Sequence, residues 1–308
     1  MRVLETKEIC KYYRKTHALE HVNMVIEQGD IYGFVGKNGA GKTTLIRLIT
    51  GVAEPTKGTF SLFEESDPKQ VVRMRSRIAA VVENPALNLG LSAYDNLRCQ
   101  CTLLGIDGKQ APKIINQILE KVGLISLLVT NRKPVKNFSL GMKQRLGIAM
   151  ALISNPEFLV LDEPANGLDP EGIRDMRELL LKLNHEDGVT ILVSSHILSE
   201  LSKLATRYGF IDKGRLVKEI TAEQLNRECR KATLFRVSDT DKAIKVLKEA
   251  GYKTAEASHD GVLLSDNGAV SKIVTLLAKN DIDVSAVQEQ NEDLEAYFME
   301  IIKGGHHG

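Results

Sequence analysis

The stretch Gly36-Lys37-Asn38-Gly39-Ala40-Gly41-Lys42-Thr43 constrains this chain more than any other. It follows the apolar run Ile31-Tyr32-Gly33-Phe34-Val35 and precedes Thr44-Leu45-Ile46-Arg47-Leu48-Ile49, an order that reads strand, glycine loop, helix. Such a loop lets successive backbone N–H groups turn inward around phosphate oxygens, while the helix adds unpaired N–H groups and the positive end of its dipole. Lys42 is placed to reach the β- and γ-phosphates as a mobile point charge, and the Thr43 hydroxyl to ligate magnesium.

Before the loop, Leu19, Val22, Met24 and Ile26 recur at every second or third position, and residues 3–26 read as antiparallel strands. Tyr12 and Tyr13 lie in this stretch. Either offers an aromatic face on which a base could stack, although strand tyrosines are more often simply half-buried. After the phosphate helix, short strands are expected at Thr59–Phe63 and Ile78–Val82, the second ending on Glu83-Asn84-Pro85.

Residues 91–147 change character, with helical periodicity in Ile114, Ile115, Ile118, Leu119 and Val122. This segment reads as a helical insertion. It closes on Ser139-Leu140-Gly141, where Ser139 occupies an N-cap position before a helical run, a second geometry suited to anions. Phe158-Leu159-Val160-Leu161 is a wholly apolar strand that delivers Asp162 and Glu163 at its carboxyl end, the edge where ligands gather in open α/β sheets. One carboxylate can hold magnesium and the other can orient the attacking water. A turn at Gly167–Pro170, a helix over about 171–184 and a strand at Val189–Val193 lead to Ser194-Ser195-His196.

Composition narrows the alternatives. Lysines and arginines (41) nearly cancel acids (40), so a net charge of +1 offers no basic footprint for nucleic acid. Cys10, Cys99, Cys101 and Cys229 have neither zinc-ribbon nor disulfide-framework spacing, so a reducing compartment is expected and structural metal is not. The start of the chain has no signal-peptide apolar region, and no run approaches the length of a membrane span, so a soluble cytoplasmic protein is expected.

In this order the motifs resemble the ATP-binding subunit of ABC transporters, over roughly residues 1–219. The resemblance implies an α/β P-loop NTPase core with an antiparallel β subdomain and a helical insertion. It also implies ATP and magnesium as ligands. Residue by residue, Gly36, Asn38, Gly39, Ala40, Gly41, Lys42, Thr43 and Thr44 match the Walker A loop. Phe158 to Asp162 match Walker B, with Thr43 and Asp162 toward magnesium and Glu163 as the catalytic carboxylate. Ser139 and Gly141 match the signature segment, Asp169 the D-loop aspartate and His196 the switch histidine. Tyr13 matches the base-stacking position.

Two departures stand out. The signature reads Phe138-Ser139-Leu140-Gly141-Met142 instead of Leu-Ser-Gly-Gly-Gln, and Glu83 stands where most members carry glutamine. Ionised glutamate only accepts hydrogen bonds, so Glu83 can approach magnesium or water but offers no donor. These features look like the subfamily of bacitracin-resistance and lantibiotic-immunity transporter subunits.

The implied function is an ATPase, peripheral at the inner face of the membrane, that powers a separate permease and acts as a homodimer or with a paired ATPase subunit. The competing reading, a soluble ABC ATPase acting on ribosomes or DNA, calls for two cassettes or long coiled coils, and this chain has neither. Residues 220–308 read as a separate accessory domain, strand–helix–strand–strand–helix–strand with strands at 233–237, 252–257, 261–265 and 283–288, a ferredoxin-like α+β order. A last helix places Leu294, Tyr297, Phe298, Ile301 and Ile302 on one apolar face, expected to pack on its own domain.

Overall fold

The structure is a computed structural model of the 308-residue chain, and it describes all residues except 15, 127–132, 229–230, 259, 265–268, 292–296 and 302–308. Contacts divide the chain into two compact units, Met1–Ala222 and Glu223–Gly308.

In the first unit, β1 (Arg2–Tyr13), β2 (Thr16–Glu27) and β4 (Lys57–Leu62) form an antiparallel sheet in the order β2-β1-β4. The second sheet contains β3 (Ile31–Val35), β5 (Ile78–Val81), β6 (Phe158–Asp162), β7 (Thr190–Ser195), β8 (Arg207–Asp212) and β9 (Arg215–Thr221). Its order is β5-β6-β7-β3-β8-β9, with parallel pairing throughout except for β9 at one edge. Every residue of β3, β6 and β7 is buried, as expected of near-continuous apolar strands covered on both faces. Register sets Val35 beside Ser195 and Asp162 beside Ser194, so the carboxyl ends of these strands lie level.

The helical insertion follows the expected periodicity, with helices Ala93–Leu103 and Ala111–Lys121. Helix Leu140–Leu152 is capped by Ser139, whose hydroxyl accepts from the Met142 N–H. The hairpin β8–β9, turning at Lys213-Gly214, and the Asp67-capped helix Pro68–Met74 add to the elements expected from periodicity.

In the second unit, β10 (Lys231–Val237), β11 (Glu256–Ser258), β12 (Gly261–Leu264) and β13 (Val284–Asn291) form an antiparallel sheet, order β11-β12-β10-β13. Helices Thr240–Glu249 and Val270–Lys279 complete the ferredoxin-like order. The second strand starts later than expected, at Glu256 rather than Tyr252. Gly251, at φ 96°, ends the preceding helix, and the Tyr252 N–H turns back to the Leu247 carbonyl, so Tyr252 belongs to the helix terminus. Residues 297–301 are helical with Phe298 buried, while Leu294 and Ile302 lie outside the described residues.

One half-buried carboxyl joins three strands of the first unit. The Tyr32 hydroxyl on β3 donates to Glu219 Oε1 on β9 at 2.8 Å, and the Val25 N–H on β2 donates to the same oxygen at 3.3 Å. Burial raises the Glu219 pKa, opposed by the Tyr32 and Val25 hydrogen bonds and by the Arg207 charge. A carboxyl whose folded pKa exceeds its unfolded one is fully compatible with folding below the unfolded pKa, about 4.3, and costs stability as pH rises through the folded value. Glu219→Gln keeps the acceptor without the charge. Its melting temperature should exceed that of the native protein at pH 8, by up to a few degrees, with the advantage gone at pH 4 and below; thermal melts across pH 3–9 measure this.

Candidate functional site

The phosphate loop leaves β3 and returns into helix Lys42–Ile49 under two steric demands. Gly41 adopts φ 112°, and a Cβ there would lie 2.8 Å from the Ala18 carbonyl oxygen; a Cβ on Gly36 would lie 2.6 Å from the Ile211 carbonyl. Only glycine meets both conditions. The Gly214 N–H donates to the Ala40 carbonyl at 2.9 Å, so the β8–β9 turn braces the loop from outside.

Within the loop, the buried Lys42 ammonium donates to the Gly36 carbonyl at 2.5 Å and lies 3.1 Å from Glu163 Oε1. Thr43 Oγ1 donates to Asp162 Oδ2 at 2.7 Å. The other Asp162 oxygen accepts from Ser194 Oγ at 2.6 Å, and Ser194 Oγ in turn accepts the Glu163 N–H at 2.9 Å. Glu163 Oε2 meets His196 Nδ1 at 3.0 Å. Lys42, Glu163 and His196 thus form one polar chain across the ends of β3, β6 and β7.

Glu163 and Glu83, each just beyond a strand end, have φ of 49° and 60°, a left-handed conformation rare outside glycine and concentrated at functional sites. Glu83 Oε1 accepts from Arg47 Nη2 at 2.5 Å, so this carboxylate is neutralised from the far end of the phosphate helix. Behind His196, burial holds the Glu200 carboxyl above the ordinary range, with a 3.4 Å hydrogen bond from Ser195 Oγ acting the other way.

Most of the expected residues fall into three cavities, while His196 lines another with Glu163 and Glu200. Asn38, Gly39, Gly41, Lys42, Thr43 and Thr44 line the first, together with Glu163. Its outer wall carries His17, held to Glu20 at 2.6 Å with its ring against Tyr12 at 4.4 Å; hydrogen bonds from His17 and Arg215 lower the Glu20 pKa. Tyr13 stands nearby at the hairpin end, 42% exposed, with Lys11 Nζ 5.0 Å above its ring, and does not line this cavity. The second is bounded by Thr43, Glu83, Asp162 and Glu163. Ser139, Gly141 and Asp169 gather at a third, without any phosphate-loop residue, where Asp169 caps helix Pro170–His185 through the Gly172 N–H at 2.8 Å.

Two site residues lie beyond the sequence expectations. Ser194, the buried link between both carboxylates, sits in Ser194-Ser195-His196 directly before the expected histidine. Gln144 shares the second cavity and lies two residues beyond Met142, the end of the signature segment.

Comparisons with known proteins identify the family. The ABC transporter family profile matches residues 19–166. The chain is 41% identical over 306 residues to the bacitracin transport ATP-binding protein BcrA of Bacillus licheniformis, covering 98% of each. This chain belongs to the ABC transporter ATP-binding family. It is an ATP-binding ATPase. A second member of the family, the lantibiotic transport ATP-binding protein SrtF of Streptococcus pyogenes, is 43% identical over 217 residues, covering 70% of this ATPase and 90% of the relative. Among solved structures, a dimeric post-hydrolysis ATP-binding cassette bound to ADP and Pi matches with TM-score 0.63 and 25% identity, over 71% of this chain and 98% of that one. Among the described residues of the ATPase, no helix is long and apolar enough to cross a membrane.

Ser194→Ala leaves the phosphate loop intact and removes the hydroxyl that holds Asp162 and the Glu163 backbone. Its ATPase kcat should fall about tenfold or more, with ATP affinity changed by no more than about threefold, as turnover and equilibrium binding of ATP will show.

Proposed function

We propose that this chain is the ATP-hydrolysing subunit of a transporter whose separate membrane permease confers resistance to a bacitracin-like peptide antibiotic. The observation that carries the reading is the 41% identity to a bacitracin transport ATP-binding protein across 98% of both chains, which takes in the second unit as well as the nucleotide core. The chain would sit at the inner face of the membrane through its permease. The second unit, about residues 220–308, is in this reading an accessory domain.

Lys42 is the γ-phosphate ligand in this mechanism. An arriving phosphate competes with Glu163 and the Gly36 carbonyl for the Lys42 ammonium, and by taking it frees Glu163 to act on water. The water oxygen attacks the γ-phosphorus as Glu163 takes its proton; the bond from phosphorus to the bridging oxygen breaks, leaving ADP and phosphate. His196 holds the far side of the Glu163 carboxylate and reaches the γ-phosphate from β7. Tyr13 is the stacking surface for the base.

Thr43 Oγ1 and Asp162 Oδ2, two hard oxygens 2.7 Å apart beside the phosphate loop, suit magnesium, which binds through a few protein oxygens plus substrate phosphates. Bound there, the ion would neutralise charge developing on the phosphate oxygens. Glu83, on the same cavity, is a third acidic group within the site.

Ser139, Gly141 and Asp169 meet away from the phosphate loop of their own chain, so they are assigned to the ATP of a second copy or paired subunit. ATP then joins two subunits, and hydrolysis removes the charge that holds them closed.

Glu163→Gln should bind ATP, form an ATP-dependent dimer visible by light scattering, and release phosphate at least about 100-fold more slowly than the native protein. Native turnover by this variant would remove Glu163 from the mechanism. Co-expression of the native chain with its permease should raise the bacitracin concentration that inhibits a sensitive bacterium, and Lys42→Ala should abolish that protection.

A further inference from the structure

One group in the second cavity has no part in the mechanism above. Gln144, on helix Leu140–Leu152, is only 5% exposed, and its amide makes no hydrogen bond among the described residues. It lines the cavity with Thr43, Glu83, Asp162 and Glu163. With no protein partner and a place in the cavity wall, this amide can both donate to and accept from a ligand that enters the cavity.

Its position follows from a close approach one turn along the same face. A Cβ on Gly147 would lie 2.4 Å from Pro85 Cβ, so the helix backbone rests directly against the loop that begins at Glu83. Positions 144 and 147 are i and i+3, and this contact presses Gln144 toward the ends of β5 and β6. The neighbouring side chains are already engaged: Thr43 with Asp162, Glu83 with Arg47, Glu163 with Lys42 and His196. The three carboxylates can only accept hydrogen bonds. Asn84 and Asn166, at the rim, are exposed to solvent.

We propose that Gln144 bridges the hydrolytic water and the γ-phosphate. Its carbonyl accepts the hydrogen of the water that Glu163 does not take, and its NH2 donates to a γ-phosphate oxygen. A neutral amide serves both ends of that bridge. Glu83, on the same cavity, can accept from water but repels the phosphate. The inference rests on the ATP-hydrolysis reading and adds a residue to it.

The test uses the full chain. Gln144→Leu removes the amide and leaves an apolar side chain one bond shorter; because the amide has no protein partner, the melting temperature should hold or rise. Expected are a kcat for ATP lowered about 100-fold, a KM within about threefold of native, and ATP binding retained. Adding Glu83→Gln restores an amide to the same cavity and should recover at least about fivefold of the lost turnover. Gln144→Glu, of the same size but charged toward the phosphate, should lose at least as much turnover as Gln144→Leu.

Native turnover by Gln144→Leu overturns the proposal. So does a loss of turnover that comes with a lowered melting temperature and is not recovered by Glu83→Gln, since that pattern marks a packing role. Lys42→Ala run alongside separates this from the underlying reading: if it still binds and hydrolyses ATP, the phosphate loop itself has been misassigned.

Discussion

The site depends on the Asp162 carboxylate. It is buried at the end of a wholly buried strand, where an ionised group without partners would be prohibitive. Both oxygens are engaged, one by Thr43 and the other by Ser194. Those two hydroxyls come from the phosphate helix and from β7, so one charge ties the nucleotide loop to two strands of the central sheet. The parallel register that sets Asp162 beside Ser194 is therefore part of the site. Ser194 passes the constraint on: by accepting the Glu163 N–H, it fixes the backbone turn from which the Glu163 side chain reaches Lys42 and His196.

Charge balance around the second cavity follows the same economy of elements. Glu83, Asp162 and Glu163 would repel an arriving triphosphate if all three faced it unpaired. Helix Lys42–Ile49 supplies the compensation at both of its ends, with Lys42 on Glu163 and Arg47 on Glu83. Thr43 and Arg47 are i and i+4, hence on one face, so a single helix face addresses the carboxylates at the ends of both β6 and β5. The two cations differ in strength of hold. Lys42 is buried, whereas the Arg47–Glu83 pair is largely exposed and screened, a contact of at most about 1 kcal/mol, so Glu83 is the more easily released of the two glutamates.

Features built from contiguous residues were legible in the sequence. The glycine loop between an apolar strand and a helix, the four-residue apolar run before Asp162-Glu163, the Ser139 cap and the strand–helix alternation of the second unit all depend on local chemistry. The less legible features depend on partners far along the chain. Nothing local separates Ser194 from any other strand-end serine; its role comes from Asp162, 32 positions away. Gln144 reads as a surface residue of a helix until Gly147 seats that helix on Pro85. The turn at Lys213-Gly214 signals a hairpin, but not that the hairpin braces the phosphate loop through Ala40. The late start of β11 has a local cause in Gly251, where helix termination competes with the strand pattern beginning at Tyr252.

Helix Leu140–Leu152 reaches the second and third cavities, with Ser139 at its tip beside Asp169 and Gln144 on one cavity with Glu83 and Asp162. Its seat is fixed by two kinds of contact that differ greatly in strength. Arg145–Asp175, at 3.4 Å, joins it to helix Pro170–His185, and Lys121–Asp187, at 2.7 Å, ties the preceding helix of the insertion to the residues just after that helix. Both pairs are partly exposed, and pairs of this kind contribute about 0–1 kcal/mol each. Gly147 against Pro85 is a backbone contact with no room for one added carbon, and an added Cβ would force the helix away from the β5 loop. Close packing at Gly147 therefore outweighs the ion pairs in setting where the helix lies.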